Sequence, residues 1–401
     1  MSEPAGKRRK PNESGSRGAT TTAAPRARRV RGEHKTIGPV EVGPVAHGGH
    51  CVARHEGRVI FVRHALPGER VMLQVTDDSH DRFWRADAVE ILTASPDRVH
   101  PPCPIARPGL CGGCDFQHAS LAAQRRLKTA VVAEQLRRLA GIDWTGEVAE
   151  VSTPETADGL HWRTRMRYVT DDAGQVGLRA HRSHRVVPLP PEGCRIAAPG
   201  ALTGDEGVVT KVAAGRRWAV EAGGFWQVHP AAADTLVRAV LDGLRPEPGE
   251  RALDLYAGVG LFAGVLADAG CRVWAVEGYR PAAELAKQNL ADVADRVTVR
   301  TGQVERTLRS LPDGVDLVVL DPPRTGAGRA VISAVVGRRP RAVAYVACDP
   351  AALARDLGTA TGLGYRTDAV AAYDLFPMTH HVECVAILTP ESATRVSATR
   401  R

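Results

Sequence analysis

The chain has 401 residues, 43% hydrophobic and 24% charged, the balance of a globular protein with room for two or three cores. No run approaches the roughly 18–20 apolar residues of a membrane helix, and "MSEPAGKRRKPNESGSRG" at the N-terminus lacks the apolar centre of a secretory leader. A cytoplasmic protein with no membrane partner is therefore expected.

The formal charge is +8, and residues 1–35 hold +7 of it, ten Lys and Arg against three Glu. This Gly/Ser/Pro/Arg stretch is expected to be a disordered basic tail. It reads either as a solvated segment or as an arm that seeks polyanions such as nucleic acid. Residues 36–95 read as short strands, "VEVGPV", "RVIFVRH", "ERVMLQVTDD" and "RADAVEIL", alternating apolar and polar between Gly, Pro and Asp breaks. That pattern suits a small antiparallel barrel, and "VEVGPVAHGG…VARHEGRVIFVRHALPGERV" resembles a TRAM domain, an OB-like RNA-binding barrel.

Residues 96–225 are expected to form a central α+β RNA-binding domain. A cysteine cluster comes first, then a helix near 120–140, closed by Gly141 and placed to pack on the following domain. Mixed strands rich in arginine follow, "HWRTRMRYV" and "GLRAHRSHRVVPL". Over 226–390 strand-like and helical runs alternate, which predicts a parallel, doubly wound, Rossmann-like sheet with helices on both faces. Residues 391–401 read as a tail.

In "LDLYAGVGLFAGVLA" a strand runs into a Gly258-x-Gly260 turn and a helix, and Glu277 ends the next strand. Glycines let the backbone approach a ligand, and an acid at the second strand tip can accept from ribose hydroxyls. A dinucleotide and S-adenosylmethionine (SAM) satisfy this equally. "VDLVVLDPPRTGAG" ends in Asp321-Pro322-Pro323-Arg324, a rigid extended loop at the edge where open α/β sheets bind ligands. An aromatic after Pro-Pro would suit amine methylation; Arg324 stands there instead.

Cys348 follows the apolar run "RAVAYVA", and Glu383 sits at or near the start of the last strand, between Val382 and Cys384. A thiol, a carboxylate and SAM together can methylate carbon 5 of uracil. The thiolate adds to carbon 6, carbon 5 becomes nucleophilic, and a base removes the proton at carbon 5. The base must also be unstacked from its RNA.

The chain resembles the RNA uracil-C5 methyltransferases (TrmA/RumA type) over about residues 36–390, through "FWQVHP", "LDLYAGVG", "DPPRTG", "YVACDPAALARDL" and "DLFPMTHHVE". The resemblance implies a class I SAM-dependent fold, Cys348 as nucleophile and Glu383 as general base. It implies Gln227, Tyr256, Glu277 and Asp321 as SAM contacts, with Gln303 a further candidate beside Gly258 and Gly260. The chain departs from the family at Leu261, where many members carry Asn.

Cys103-x7-Cys111-x2-Cys114, with Cys194 as a fourth thiolate, suits zinc or a [4Fe–4S] cluster. Three close cysteines and one distant one fit the cluster better than paired zinc knuckles, and the resemblance points the same way. Its expected role is structural. Cys271 and Cys384 read as small core residues, Cys51 as a barrel-loop residue with no evident partner, and His380 and His381 as ordinary polar residues. The expected activity is 5-methyluridine formation in structured RNA, ribosomal RNA first and transfer RNA as the alternative, with no obligate protein partner. A non-catalytic RNA-binding factor and an NAD-dependent oxidoreductase are the competing classes.

Overall fold

The structure is a computed structural model that describes residues 35–204 and 206–391. The basic tail, apart from Lys35, and the C-terminal tail beyond Glu391 lie outside the described residues.

Strands β1 (Thr36–Ala46), β2 (His50–His55), β3 (Arg58–Arg63), β4 (Arg70–Asp77) and β5 (Phe83–Thr93) close into a barrel in the order β1-β2-β3-β5-β4. Alternation builds its core: Val71, Leu73 and Val75 of β4 point inward while their neighbours do not. Closure leaves no free strand edge. The barrel rests on Glu69, which is fully buried and held by Arg98 through Nε to Oε1 at 2.5 Å and Nη2 to Oε2 at 2.6 Å.

Helix α1 (Leu121–Ala140) starts where the Ser120 side chain accepts from the Ala123 N–H, and stops at Gly141, whose φ of 68° favours glycine. Val131 joins the barrel core, whereas Val132 and Leu136 join the core of the C-terminal sheet. The fully buried Lys128 reaches that region too, with Nζ 2.6 Å from Asp374 Oδ1.

Next come β6 (Val148–Glu150), β7 (Arg163–Arg165), β8 (Val169–Thr170), β9 (Val176–Arg179), β10 (Val186–Pro188), β11 (Ala197–Leu202), β12 (Val208–Ala213) and β13 (Arg216–Glu221). Strands β8–β10 form one small sheet, β7 pairs with β11, and β12–β13 is a hairpin. Helix α2 (Ala232–Leu244) opens the α/β region. There β14 (Arg251–Leu255), α3 (Leu261–Asp268), β15 (Arg272–Glu277), α4 (Arg280–Asn289), β16 (Val297–Thr301), α5 (Val304–Thr307), β17 (Leu317–Leu320), α6 (Gly328–Val336), β18 (Ala342–Ala347), α7 (Pro350–Thr361), β19 (Tyr365–Asp374) and β20 (Glu383–Pro390) alternate. The sheet order is β16-β15-β14-β17-β18-β20-β19-β6.

The first five strands of this region are parallel, as β-α alternation requires. Strand β20 enters antiparallel between β18 and β19. This reversed strand departs from the parallel dinucleotide-binding order 3-2-1-4-5-6.

Two segments expected in the central domain pack instead with the α/β region. Strand β6 extends the sheet edge beside β19, and its Val148 N–H donates to Thr129 Oγ1 of α1. The β12–β13 hairpin sends Trp218, fully buried, into the α/β core, and Asn289 brackets Ala219 by its N–H and C=O. Among the described residues no helix is long and apolar enough to cross a membrane.

Candidate active site

The parallel strands end on one edge, so the residues just past them converge. After β14, Tyr256 takes φ 67°, an uncommon conformation outside glycine, and turns the chain into the glycine loop. A side chain at Gly260 would place its Cβ 2.7 Å from Leu290, so only glycine lets α3 pack there; at Gly258 the space above is open. Glu277, the last residue of β15, accepts from the Gly258 N–H at 2.8 Å and from the Tyr279 N–H at 2.6 Å and so holds the loop. Gln303 is exposed beside Gly278. Gln227 is buried in the segment between β13 and α2. Tyr279 Oη, 2.8 Å from Glu221, ties the end of β13 to the loop after β15.

Asp254 is a site residue that the sequence reading missed. It is fully buried within β14; Oδ2 accepts from the Ala263 N–H at 2.8 Å, and Oδ1 has no partner. Burial, aided by Asp321 and Glu277, pushes its carboxyl up to about 7. Asp321, just past β17, is likewise pushed up to about 7, by burial and then by Glu277. An acid inside an apolar strand was the available signal, the one that singled out Glu383.

Cys348 follows β18 and Glu383 begins β20. The antiparallel register ends with Ala347 opposite Cys384, so one further step sets Cys348 opposite Glu383. The thiol is half-buried and the carboxyl is buried. Burial, then Glu383, raises the Cys348 thiol to about 12, while Arg324 acts the other way. Burial, then Asp321, raises Glu383 well above the usual carboxylate range, again against Arg324. Cys348 opens into a pocket shared with His47, Lys128, Arg324, Asp349 and His381. Arg324 Nη2 lies 3.3 Å from His381 Nε2. His380 is more than a surface polar residue: its Nδ1 sits 2.6 Å from Asp115 Oδ2, while Arg63 Nη2 lies 3.6 Å from Asp115 Oδ1.

The structure brings Cys103, Cys111, Cys114 and Cys194 round one pocket, with Arg163, Arg195 and Met166 also lining it. The Gly113 N–H points at Cys111 Sγ, and Gln117 Nε2 donates to Cys114 Sγ at 3.2 Å. Burial raises the thiols of Cys111, Cys114 and Cys194. Among the described residues no three His, Cys, Asp or Glu are grouped so as to hold a single metal ion. Cys271 and Cys384 lie in the cores, as expected, whereas Cys51, expected in a loop, is a buried residue of β2 in the barrel core.

Comparison with known proteins gives the same picture. The profile of the tRNA (uracil-5-)-methyltransferase family matches residues 214–391, and that of the TRAM domain matches 33–89. An uncharacterized RNA methyltransferase of Streptomyces avermitilis is 49% identical, over 88% of this chain and 98% of the relative. A 23S rRNA (uracil(1939)-C(5))-methyltransferase of a Shewanella species is 29% identical, over 85% of this chain and 93% of its own. The tRNA (uracil-54, C5)-methyltransferase of Pyrococcus abyssi, solved with S-adenosyl-L-homocysteine, shares the fold at a TM-score of 0.59 and 20% identity, covering 88% of this chain and 99% of that one. The barrel, the reversed seventh strand and these relatives agree: the chain belongs to the SAM-dependent RNA uracil-C5 methyltransferases.

Proposed function

We propose that the protein forms 5-methyluridine in large-subunit ribosomal RNA, with Cys348 as nucleophile and Glu383 as general base. The observation that carries the chemistry is the register that sets the two opposite each other at the ends of β18 and β20. The similarity to the Shewanella ribosomal enzyme across nearly its whole length supports the RNA class. Transfer RNA is the second reading, which the family profile's description favours.

The Cys348 thiolate adds to carbon 6 of the flipped uracil, and the ring electrons move to make carbon 5 nucleophilic. SAM, when bound, supplies the electrophilic methyl group. Glu383 then takes the proton from carbon 5, the carbon 6–sulfur bond breaks, and the thiolate leaves. Burial raises the pKa of both groups, and Arg324 opposes that rise at each, drawing them toward the thiolate and carboxylate that the chemistry uses. Gln227, Tyr256, Gly258, Gly260, Glu277, Gln303 and Asp321 would hold the cofactor. The open space above Gly258 and the orphaned Oδ1 of Asp254 fit a cationic ligand there.

Glu383→Gln should permit addition and methyl transfer but not proton removal, so a protein–RNA adduct through Cys348 should accumulate and survive denaturing electrophoresis. Cys348→Ala should form no adduct and no product while still binding SAM. Sequencing the trapped RNA identifies the substrate, and a transfer RNA there would replace the ribosomal assignment. Methylation by Cys348→Ala above trace level would refute the nucleophile.

The four cysteines, in this reading, hold a structural [4Fe–4S] cluster. The shared pocket and the N–H groups aimed at two of the sulfurs suit thiolates that carry charge. The same loop is bolted to the catalytic segment, since the N–H groups of Asp115 and Phe116 both donate to the Met378 carbonyl. Protein purified without oxygen should contain iron and sulfide; stoichiometric zinc without iron would overturn the cluster.

A further inference from the structure

The turn between β1 and β2 does not stay with the barrel. His47 Nε2 lies 3.1 Å from Asp349 Oδ2, joining residues 302 positions apart in the chain. Asp349 is the residue after Cys348 and the N-cap of α7, where its Oδ1 accepts from the Ala352 N–H at 2.8 Å. One carboxylate thus caps the helix with one oxygen and grips the barrel with the other. Gly48 and Gly49, at φ 91° and 77°, bend the turn tightly. A Cβ on Gly49 would lie 2.6 Å from His380 Cβ, so the turn is seated against the segment leading to Glu383 as well. His47, Gly48 and Gly49 therefore form a wall of the pocket that holds Cys348.

We infer that His47 is a positioning residue for the methyl transfer: it fixes Asp349, and through it the loop that aims Cys348, so that the RNA-binding barrel is part of the active site. The inference rests on Cys348 being the attacking group. Two physical effects run through the contact. The first is geometric. The bonds to the Asp349 side chain from His47 and from the Ala352 N–H fasten the turn that carries Cys348 into α7, and small misplacements of a reacting group are costly. The second is electrostatic. Asp349 is among the negative groups that hold the Cys348 thiol neutral, and a donor on Asp349 Oδ2 offsets that charge. Arg324 favours the thiolate while Asp321 and Glu383 oppose it, and none of the three is bonded to His47.

The test uses the full chain and three readouts: kcat, KM for the RNA, and the rate at which iodoacetamide alkylates Cys348 in the absence of RNA and SAM, located by peptide mass. His47→Ala should lower kcat by about tenfold or more with KM changed less than about twofold, and should slow alkylation several-fold. His47→Gln keeps a donor near the position of Nε2 and should restore most of both rates. His47 is exposed on a turn, so folding is not at risk. Unchanged kcat and alkylation in His47→Ala would overturn the inference. So would a loss confined to KM, which would make His47 an RNA contact, or a His47→Gln enzyme as slow as His47→Ala. Cys348→Ala separates the two levels: if it still methylates, the nucleophile assignment fails first; if it is dead while His47→Ala is fully active, only the positioning role fails.

Discussion

Asp254, Glu277 and Asp321 bring three carboxyls to one sheet edge without a cation among their hydrogen-bond partners. Two of them, Asp254 and Asp321, stand near 7 instead of the ordinary 3.8. A carboxyl whose folded pKa is raised contributes stability below its unfolded pKa and loses it as pH climbs through the folded value. The ligand-free protein should therefore lose stability between about pH 4 and 7 from these groups. A cationic sulfonium reverses the preference, since it favours the ionised carboxyls and expels their protons on binding. SAM affinity should rise with pH up to about 7, by at most about tenfold per pH unit for each proton expelled, and flatten above it. Calorimetry in buffers of different ionisation enthalpy measures both the affinity and the protons released. A flat affinity from pH 5.5 to 8 would mean that the acids are already ionised in the free protein.

At the scale of elements, the sequence carries the residues that stand at strand ends far better than those that meet across the molecule. A strand that runs into glycines, prolines or a lone cysteine announces its carboxyl edge, which is why Glu277, Asp321 and Cys348 were readable in place, whereas Tyr256 came only through the family resemblance. Glu383 was readable because a carboxylate inside an apolar strand costs free energy without a purpose, and Asp254 carried the same mark unread. Strand β6 has three residues, too few to show a period. Its place is decided by β19, which lies more than 200 positions away, and by Thr129 of α1. The β12–β13 hairpin alternates like any solvated strand pair, and only the burial of Trp218 against Gly264 and Leu290 reveals its true neighbour. The His47–Asp349 and Asp115–His380 pairs are contacts between distant loops, which no local pattern encodes.

Considered whole, the protein shares its cores rather than stacking separate ones. Helix α1 gives Val131 to the barrel and Val132 and Leu136 to the sheet, one residue apart on adjacent faces. Gly358 of α7 lets that helix approach α1 until a Cβ there would lie 3.0 Å from the Leu139 carbonyl oxygen. Lys128 is buried with Asp374, a pairing whose loss would leave a charge stranded in the interior. Among the described residues, contacts cluster 36–391 into one unit. Melting the barrel first would expose Val131 and Phe116, withdraw His47 from Asp349 and free the Arg63 side chain from Asp115. Melting the sheet first would strip α1 of its other face. Neither half can leave without the shared helix losing a face, so residues 36–391 should unfold in one calorimetric transition although the chain is long enough for several. Fluorescence should follow the same curve, because Trp84 reports on the barrel and Trp218 and Trp274 on the α/β region. A separate barrel transition at lower temperature, reproduced by a fragment of residues 36–95 that folds alone, would show that α1 belongs to the sheet and only touches the barrel.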